Sequence, residues 1–268
     1  MKLRKIIDII EAKYPLNLSY DWDNVGLLVG DFDSDIKKVM TVIEANEDVI
    51  DEAIEKGADL IVTHHPFIFG KLNRVNTGDL KGKLIRKLIK NDVAVYSMHT
   101  NFDIAFDGLN DYFMELIGIN ETEVLDVIGS DENYCGGRPY GLGRVGNIPE
   151  EMSLREFCLK LKEILNMDCV RVTGNLEDNI KKVALVTGSG SEYVSYAKKI
   201  GADVFITGDM KYHGAQDAAD IDMNVIDCGH FDTENIFRDI MYNFLSESLK
   251  DVEVQKSELN INPFKIVL

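Results

Sequence analysis

The histidines and carboxylates are where this sequence is equipped to do chemistry. There are five histidines, and most of them follow an apolar run that reads as a strand. His64 and His65 come directly after Asp59-Leu60-Ile61-Val62-Thr63 and before Pro66. Val93-Ala94-Val95-Tyr96 leads to His99, with Asp103 four residues later; Asn224-Val225-Ile226-Asp227 leads to His230, with Glu234 four residues later. Open parallel sheets place ligands outside the carboxyl ends of their strands, so these positions are expected to converge. Imidazole nitrogen and carboxylate oxygen suit Zn, Fe, Mn, Co or Ni, whereas no soft thiolate set is offered. His64, His65, Asp103, His230 and Glu234 are too many donors for one closed tetrahedral site and too few to fill two, which leaves room for water or substrate. A bridging carboxylate holds two cations about 3.5–4 Å apart. The expectation is two divalent metal cations per chain.

Each of these features has a plainer reading beside it. In a continuing strand His64 and His65 point to opposite faces; past the strand, with Pro66 restricting the backbone, both rings reach one cavity. A solvated His pair on a loop is the alternative. His99 with Asp103 reads equally as a hydrogen-bonded pair that orients a neighbouring ligand. If a helix starts near His230, with Asp232 or Thr233 helping to cap it, His230 and Glu234 share one face. Asp209 and His213, in Thr207-Gly208-Asp209-Met210-Lys211-Tyr212-His213, are cavity-lining candidates. Gly188-Ser189-Gly190-Ser191 reads either as an anion-binding helix start or as a turn with Ser189 and Glu192 as a capping box. It lacks the Walker lysine and is no P-loop. No residue stands out as a catalytic acid or nucleophile.

The elements that must position these groups are strands alternating with helices. Lys38 to Ile43 reads as a strand, and Glu47 to Lys56 places Val49, Ile50, Ala53 and Ile54 at helical spacing, capped by Gly57. With the strand at 59–63 this is a βαβ pattern, which calls for a largely parallel sheet flanked by helices. The pattern returns: Val183 stands 144 positions after Val39, and Gly201-Ala202-Asp203 stands the same 144 after Gly57-Ala58-Asp59. A strand leading to His-x-x-x-carboxylate closes each copy. Two similar α/β lobes made by internal duplication are the economical explanation. The first lobe, 1–128, carries His64, His65 and Asp103; the second, 129–268, carries His230 and Glu234. The Gly-, Asp- and Asn-rich stretch 129–146 sits near the boundary. Ser153 and Glu156 form a capping box for a helix running to about Leu165, and 169–173 alternates like a strand. The stretch after about 255, ending Pro263 to Leu268, reads as one more strand, open to either lobe.

Composition limits the partners. A chain of 268 residues with 45% apolar and 28% charged residues is an ordinary globular protein that needs no covalent staples. The net charge of −17 disfavours nucleic acid and anionic membranes as partners. Cys135, Cys158, Cys169 and Cys228 form no CxxC pair and read as reduced thiols of a cytoplasmic protein. Asp8 and Glu11 interrupt the apolar start, which makes it an amphipathic helix with Ile6, Ile9 and Ile10 inward rather than a signal peptide. No apolar run is long enough to span a bilayer.

Trp22-Asp23-Asn24-Val25-Gly26-Leu27, Thr63-His64-His65-Pro66, His99-Thr100-Asn101-Phe102-Asp103, Thr207-Gly208-Asp209 and Gly229-His230 with Glu234 together resemble the GTP cyclohydrolase 1 type 2 homologue family, the NIF-three-like dinuclear metal proteins. The resemblance implies a two-metal site on His64, His65, Asp103, His230 and Glu234, the residues that spacing selects. It also implies a fold of two similar α/β lobes and a ring-shaped homohexamer. The family label names GTP ring opening, but no residue here specifies guanine. The expected function is therefore a metal-dependent hydrolase of a small nucleotide or phosphate-containing substrate. A non-enzymatic metal-bearing scaffold or regulatory binding protein is the alternative.

Overall fold

The computed structural model describes residues 1–267. It is a mixed α/β protein with two sheets, of five and six strands among the described residues, flanked by helices. The strands are β1 (Gly26–Val29), β2 (Lys38–Val42), β3 (Leu60–Thr63), β4 (Ala94–Ser97), β5 (Thr122–Asp131), β6 (Tyr134–Ser153), β7 (Arg171–Thr173), β8 (Asn179–Ser189), β9 (Val204–Gly208), β10 (Asn224–Asp227) and β11 (Glu253–Lys256). The helices are α1 (Leu3–Lys13), α2 (Glu47–Glu55), α3 (Leu80–Lys90), α4 (Thr100–Ile104), α5 (Leu109–Leu116), α6 (Leu154–Ile164), α7 (Val194–Lys199), α8 (Tyr212–Asp220), α9 (His230–Glu234) and α10 (Phe237–Ser248). Contacts divide the chain into two compact units: Met1–Phe102 with Phe237–Ile261, and Asp103–Ile236 with the residues from Asn262.

The first unit holds the sheet β1-β4-β3-β2-β11. β4, β3, β2 and β11 are parallel, and β1 closes one edge antiparallel to β4. Strands covered on both faces read as unbroken apolar runs, and Leu60-Ile61-Val62-Thr63 is buried at every position. α1 buries Leu3, Ile6, Ile7 and Ile10, the i, i+3, i+4, i+7 stripe of a helix. Ile7 thus takes the inward place expected for Ile9. The expected strand at the C-terminal end falls earlier, at β11, which pairs with β2. Residues 263–267 are irregular: Pro263 has no N–H for a ladder, and the Asn262 side chain accepts the Phe264 N–H at 3.0 Å as a turn. Leu268, also within that expectation, lies outside the described residues.

The second unit holds the sheet β5-β6-β8-β9-β10-β7. Its core alternates with period two. Val183, Leu185, Val204, Ile206 and Ile226 pack on one face with Phe113 and Phe157. Ala184, Val186, Phe205 and Val225 pack on the other with Val194 and Ala218. The Gly-rich stretch proves to be strand, in the β5–β6 hairpin. Glycine there permits close approach, since a Cβ on Gly141 would meet the Asp126 carbonyl at 1.9 Å. Ser153 and Glu156 form the expected capping box of α6.

The duplication is visible in register and in hydrogen bonds. Val39 pairs with Leu60 in the first unit, and Val183 with Val204 in the second, an identical parallel offset. The Asp59 carboxylate accepts from the Lys37 and Lys38 backbone N–H groups, and Asp203 from those of Lys181 and Lys182. Lys38 Nζ donates to the Lys56 carbonyl and Lys182 Nζ to that of Ile200. Each lysine therefore ties its strand to the C-terminal end of the helix that follows it.

Candidate metal centre

In the first unit β3 delivers His64 and His65 together. The backbone leaves the strand at Thr63, whose hydroxyl donates to the His65 carbonyl at 2.8 Å. Both His64 and His65 N–H groups donate to the Ile43 carbonyl, so the two residues share one turn instead of alternating along a strand. Their ring centroids lie 5.3 Å apart. β4 ends beside β3, and His99 comes within 5.2 Å of His64 and 5.9 Å of His65, ring to ring. The Phe237 and Phe102 rings wall the buried His64.

The Nδ1 side of each ring is engaged. His64 Nδ1 lies 2.8 Å from the Met98 carbonyl. A carbonyl only accepts, so Nδ1 carries the proton and the Nε2 lone pair is left to serve as a ligand. His99 Nδ1 lies 3.0 Å from both oxygens of Asp23. Glu44 Oε2 is 3.7 Å from His65 Nδ1, on the same side of that ring. Burial alone would raise the Asp23 pKa, but hydrogen bonds from the His99 ring and from the Thr100 hydroxyl and N–H outweigh it, and the carboxyl is lowered to about 2. Asp23 is thus ionised and acts as the acceptor that fixes His99.

In the second unit β10 leads through Gly229 into α9. The cap is Gly229 itself, at φ 75°, with no side-chain cap from Asp232 or Thr233. Thr233 Oγ1 instead accepts from the Gly188 N–H and has the Gly229 and His230 carbonyls within reach as acceptors for its one hydroxyl proton. His230 repeats the first unit's arrangement: Nδ1 is 2.8 Å from Asp209, and Nε2 is 2.9 Å from the buried Glu234. A neutral imidazole has one N–H, so it cannot donate to both carboxylates. A cation at Nε2, a metal or a second proton, makes the pair attractive. Asp209, at the β9 end, is therefore a partner of the site. His213 is exposed and packs edge-on to Tyr212.

Gly188 makes room for Glu234. A Cβ there would fall 2.0 Å from Glu234 Oε1 and 3.5 Å from His230 Nε2, and its φ is +65°. The stretch 188–191 is therefore no anion cradle, because a carboxylate lies over it. Nor does it carry the Ser189–Glu192 capping box: β8 runs through Ser189, and the short 3-10 turn that follows has no side-chain cap. Asp103 is buried, and its carbonyl accepts from the Asn110 amide at 3.0 Å. Asn110 Oδ1 in turn accepts the Thr187 N–H at 3.1 Å, so Asp103 and the strand carrying Gly188 are set by one buried amide.

His64, His65, His99, Asp103 and Glu234 are among the His and carboxylate groups able to hold a metal ion. Imidazoles with Nδ1 engaged, combined with carboxylates, form a donor set that fits a divalent transition metal. No helix among the described residues is long and apolar enough to cross a membrane.

A model of the family described as Duf34/NIF3 (NGG1p interacting factor 3) matches residues 1–263. Two curated relatives bear the name GTP cyclohydrolase 1 type 2 homolog. One, from Clostridium perfringens, is 43% identical over 234 residues, 87% of each chain. The other, from Clostridium acetobutylicum, is 36% identical over 99% of this chain and 98% of its own. The crystal structure of a Bacillus cereus protein related to NIF3 superposes with a TM-score of 0.92 at 28% identity, covering 100% of this chain and 99% of that one.

Proposed function

The chain belongs to the Duf34/NIF3 family, and from that premise we propose that it binds two divalent cations through His64, His65, Asp103, His230 and Glu234. It uses them to hydrolyse a small nucleotide or phosphate-containing substrate. The observation that supports this most is the treatment of Nδ1: Met98 takes it on His64 and Asp209 on His230, leaving Nε2 as the donor in both. Two cations in such a site supply an activated water at neutral pH and a positive seat for a developing oxyanion. Asp23 and Asp209 orient the rings of His99 and His230, Glu44 lies on the Nδ1 side of His65, and Gly188 leaves room for the Glu234 carboxylate against His230. The free thiols of Cys135, Cys158, Cys169 and Cys228 suit a cytoplasmic setting, and a homohexamer is the proposed assembly.

The test compares wild type with His230→Ala and Glu234→Ala after loading with Zn, Mn or Fe. The panel holds GTP and other nucleotides, read by formate and phosphate release. The reading predicts turnover that is abolished by chelation and lost in both variants. Full activity in either variant contradicts it, and bound metal with no turnover across the panel favours the scaffold reading.

A further inference from the structure

The first unit exposes aromatic rings beside its histidines. Trp22 is 62% exposed and Phe69 68% exposed. The Tyr20 ring stacks on the Trp22 indole at 5.7 Å between centroids and 17° between planes. Phe69 meets the indole edge-on at 6.3 Å, and His99 does so at 6.1 Å. The backbone around this exposed ring is hydrogen-bonded on both sides. Asp23, the next residue, is tied to His99 and to the Thr100 N–H and hydroxyl. The Tyr20 N–H donates to Thr100 Oγ1, and the Asn24 amide donates to the Ile68 carbonyl at 2.6 Å. The residues on either side of the exposed indole are thus anchored, one of them to the same helix start that follows His99.

A preorganised aromatic face open to water and continuous with metal-ligand-type histidines fits one occupant well, a flat ring that carries its own π-system. We propose that Trp22, backed by Tyr20 and flanked by Phe69, is the stacking platform for a planar heteroaromatic ring of the substrate, a purine or a ring of similar size. Calling that ring part of a substrate rests on the hydrolase reading above; its binding does not. Tyr20 behind the indole stiffens one face, and the His99 edge limits how far a stacked ring slides from the imidazoles.

Trp22 is the only tryptophan in the chain, so indole fluorescence reports on this side chain alone. The full chain, zinc-loaded and separately chelator-stripped, is titrated with guanosine 5′-monophosphate, adenosine 5′-monophosphate and ribose 5-phosphate. Saturable quenching by both nucleotides and none by ribose 5-phosphate is expected. By equilibrium dialysis Trp22→Ala weakens nucleotide binding about 5- to 150-fold, the equivalent of about 1–3 kcal/mol for one stacked base, while Trp22→Phe retains most of it. Absent quenching, equal binding of ribose 5-phosphate, or unchanged affinity in Trp22→Ala overturns the proposal. So does free-protein emission already blue-shifted and shielded from iodide, which assigns the face to a second copy of the chain. Quenching that persists in stripped protein, with no turnover when loaded, leaves the platform standing and removes the hydrolase reading. Metal-dependent turnover of a nucleotide, with affinity and rate unchanged in Trp22→Ala, does the reverse.

Discussion

Replacing Asp23 by Asn keeps the shape of the side chain and removes its charge. The carboxylate accepts from the His99 ring, from the Thr100 N–H and hydroxyl, and from the Asn24 N–H, and an amide has only one oxygen to offer. The Asp23 pKa is about 2 in the folded protein against an ordinary 3.8. At about 1.36 kcal/mol per tenfold change in proton affinity, that difference is a ceiling of about 2.4 kcal/mol. The Asp23 side chain is fully buried, but an asparagine oxygen still accepts part of this network, so the expected loss in Asp23→Asn is about 1–2 kcal/mol. A depressed carboxylate pKa stabilises the fold fully above its unfolded value, and the contribution fades as pH falls through the folded one. The gap between wild type and variant should therefore shrink as pH falls below about 4 and be mostly lost below about pH 2. Urea unfolding of chelator-stripped protein across that range reads it directly. A variant within about 0.5 kcal/mol of wild type near pH 5, or a gap that persists undiminished below about pH 2, contradicts this.

Other perturbations test other parts of the account. Arg144 is fully buried, with Nη2 2.8 Å from Asp111 Oδ2 and further bonds to the carbonyls of Ala105, Gly141 and Gly143. Arg144→Met leaves Asp111 without its counter-charge and should cost about 3–5 kcal/mol in urea unfolding. Gly188→Ala drives a Cβ into Glu234 Oε1 from a positive-φ position. It should lose about 1–3 kcal/mol and bind less metal by elemental analysis than a folded control. Asp209→Asn loosens the orienting hydrogen bond on His230, and metal affinity measured by chelator competition should fall about 10- to 100-fold.

Local grammar made much of this molecule legible. The 144-residue offset between Val39 and Val183 held because both strands must pair with the next one at the same register. Ser153 and Glu156 signalled their cap because the box closes within four residues. What escaped lies far apart in sequence. Asp23 meets His99 across 76 residues and Asp209 meets His230 across 21, and no spacing rule announces a carboxylate that orients a distant ring. The role of Gly188 was hidden for the same reason, since a glycine reads as a turn until the side chain that fills its space is known. Gly141 and its neighbours marked only a change of composition near the boundary although they form strand, because a glycine chosen for close approach and one chosen for a turn look identical. Ile7 displaced Ile9 because the inward stripe of α1 starts at Leu3, a phase that the three isoleucines alone do not set.

The most direct test of the central claim is metal content. The full chain, purified without affinity metal or chelator, is subjected to quantitative elemental analysis, with its mass in solution measured on the same sample. Close to two transition-metal equivalents per chain are expected, reduced in His230→Ala and Glu234→Ala. Near-zero metal, with no uptake after exposure to Zn, Mn or Fe, would contradict it and leave the histidines of β3 and β10 with a structural role alone.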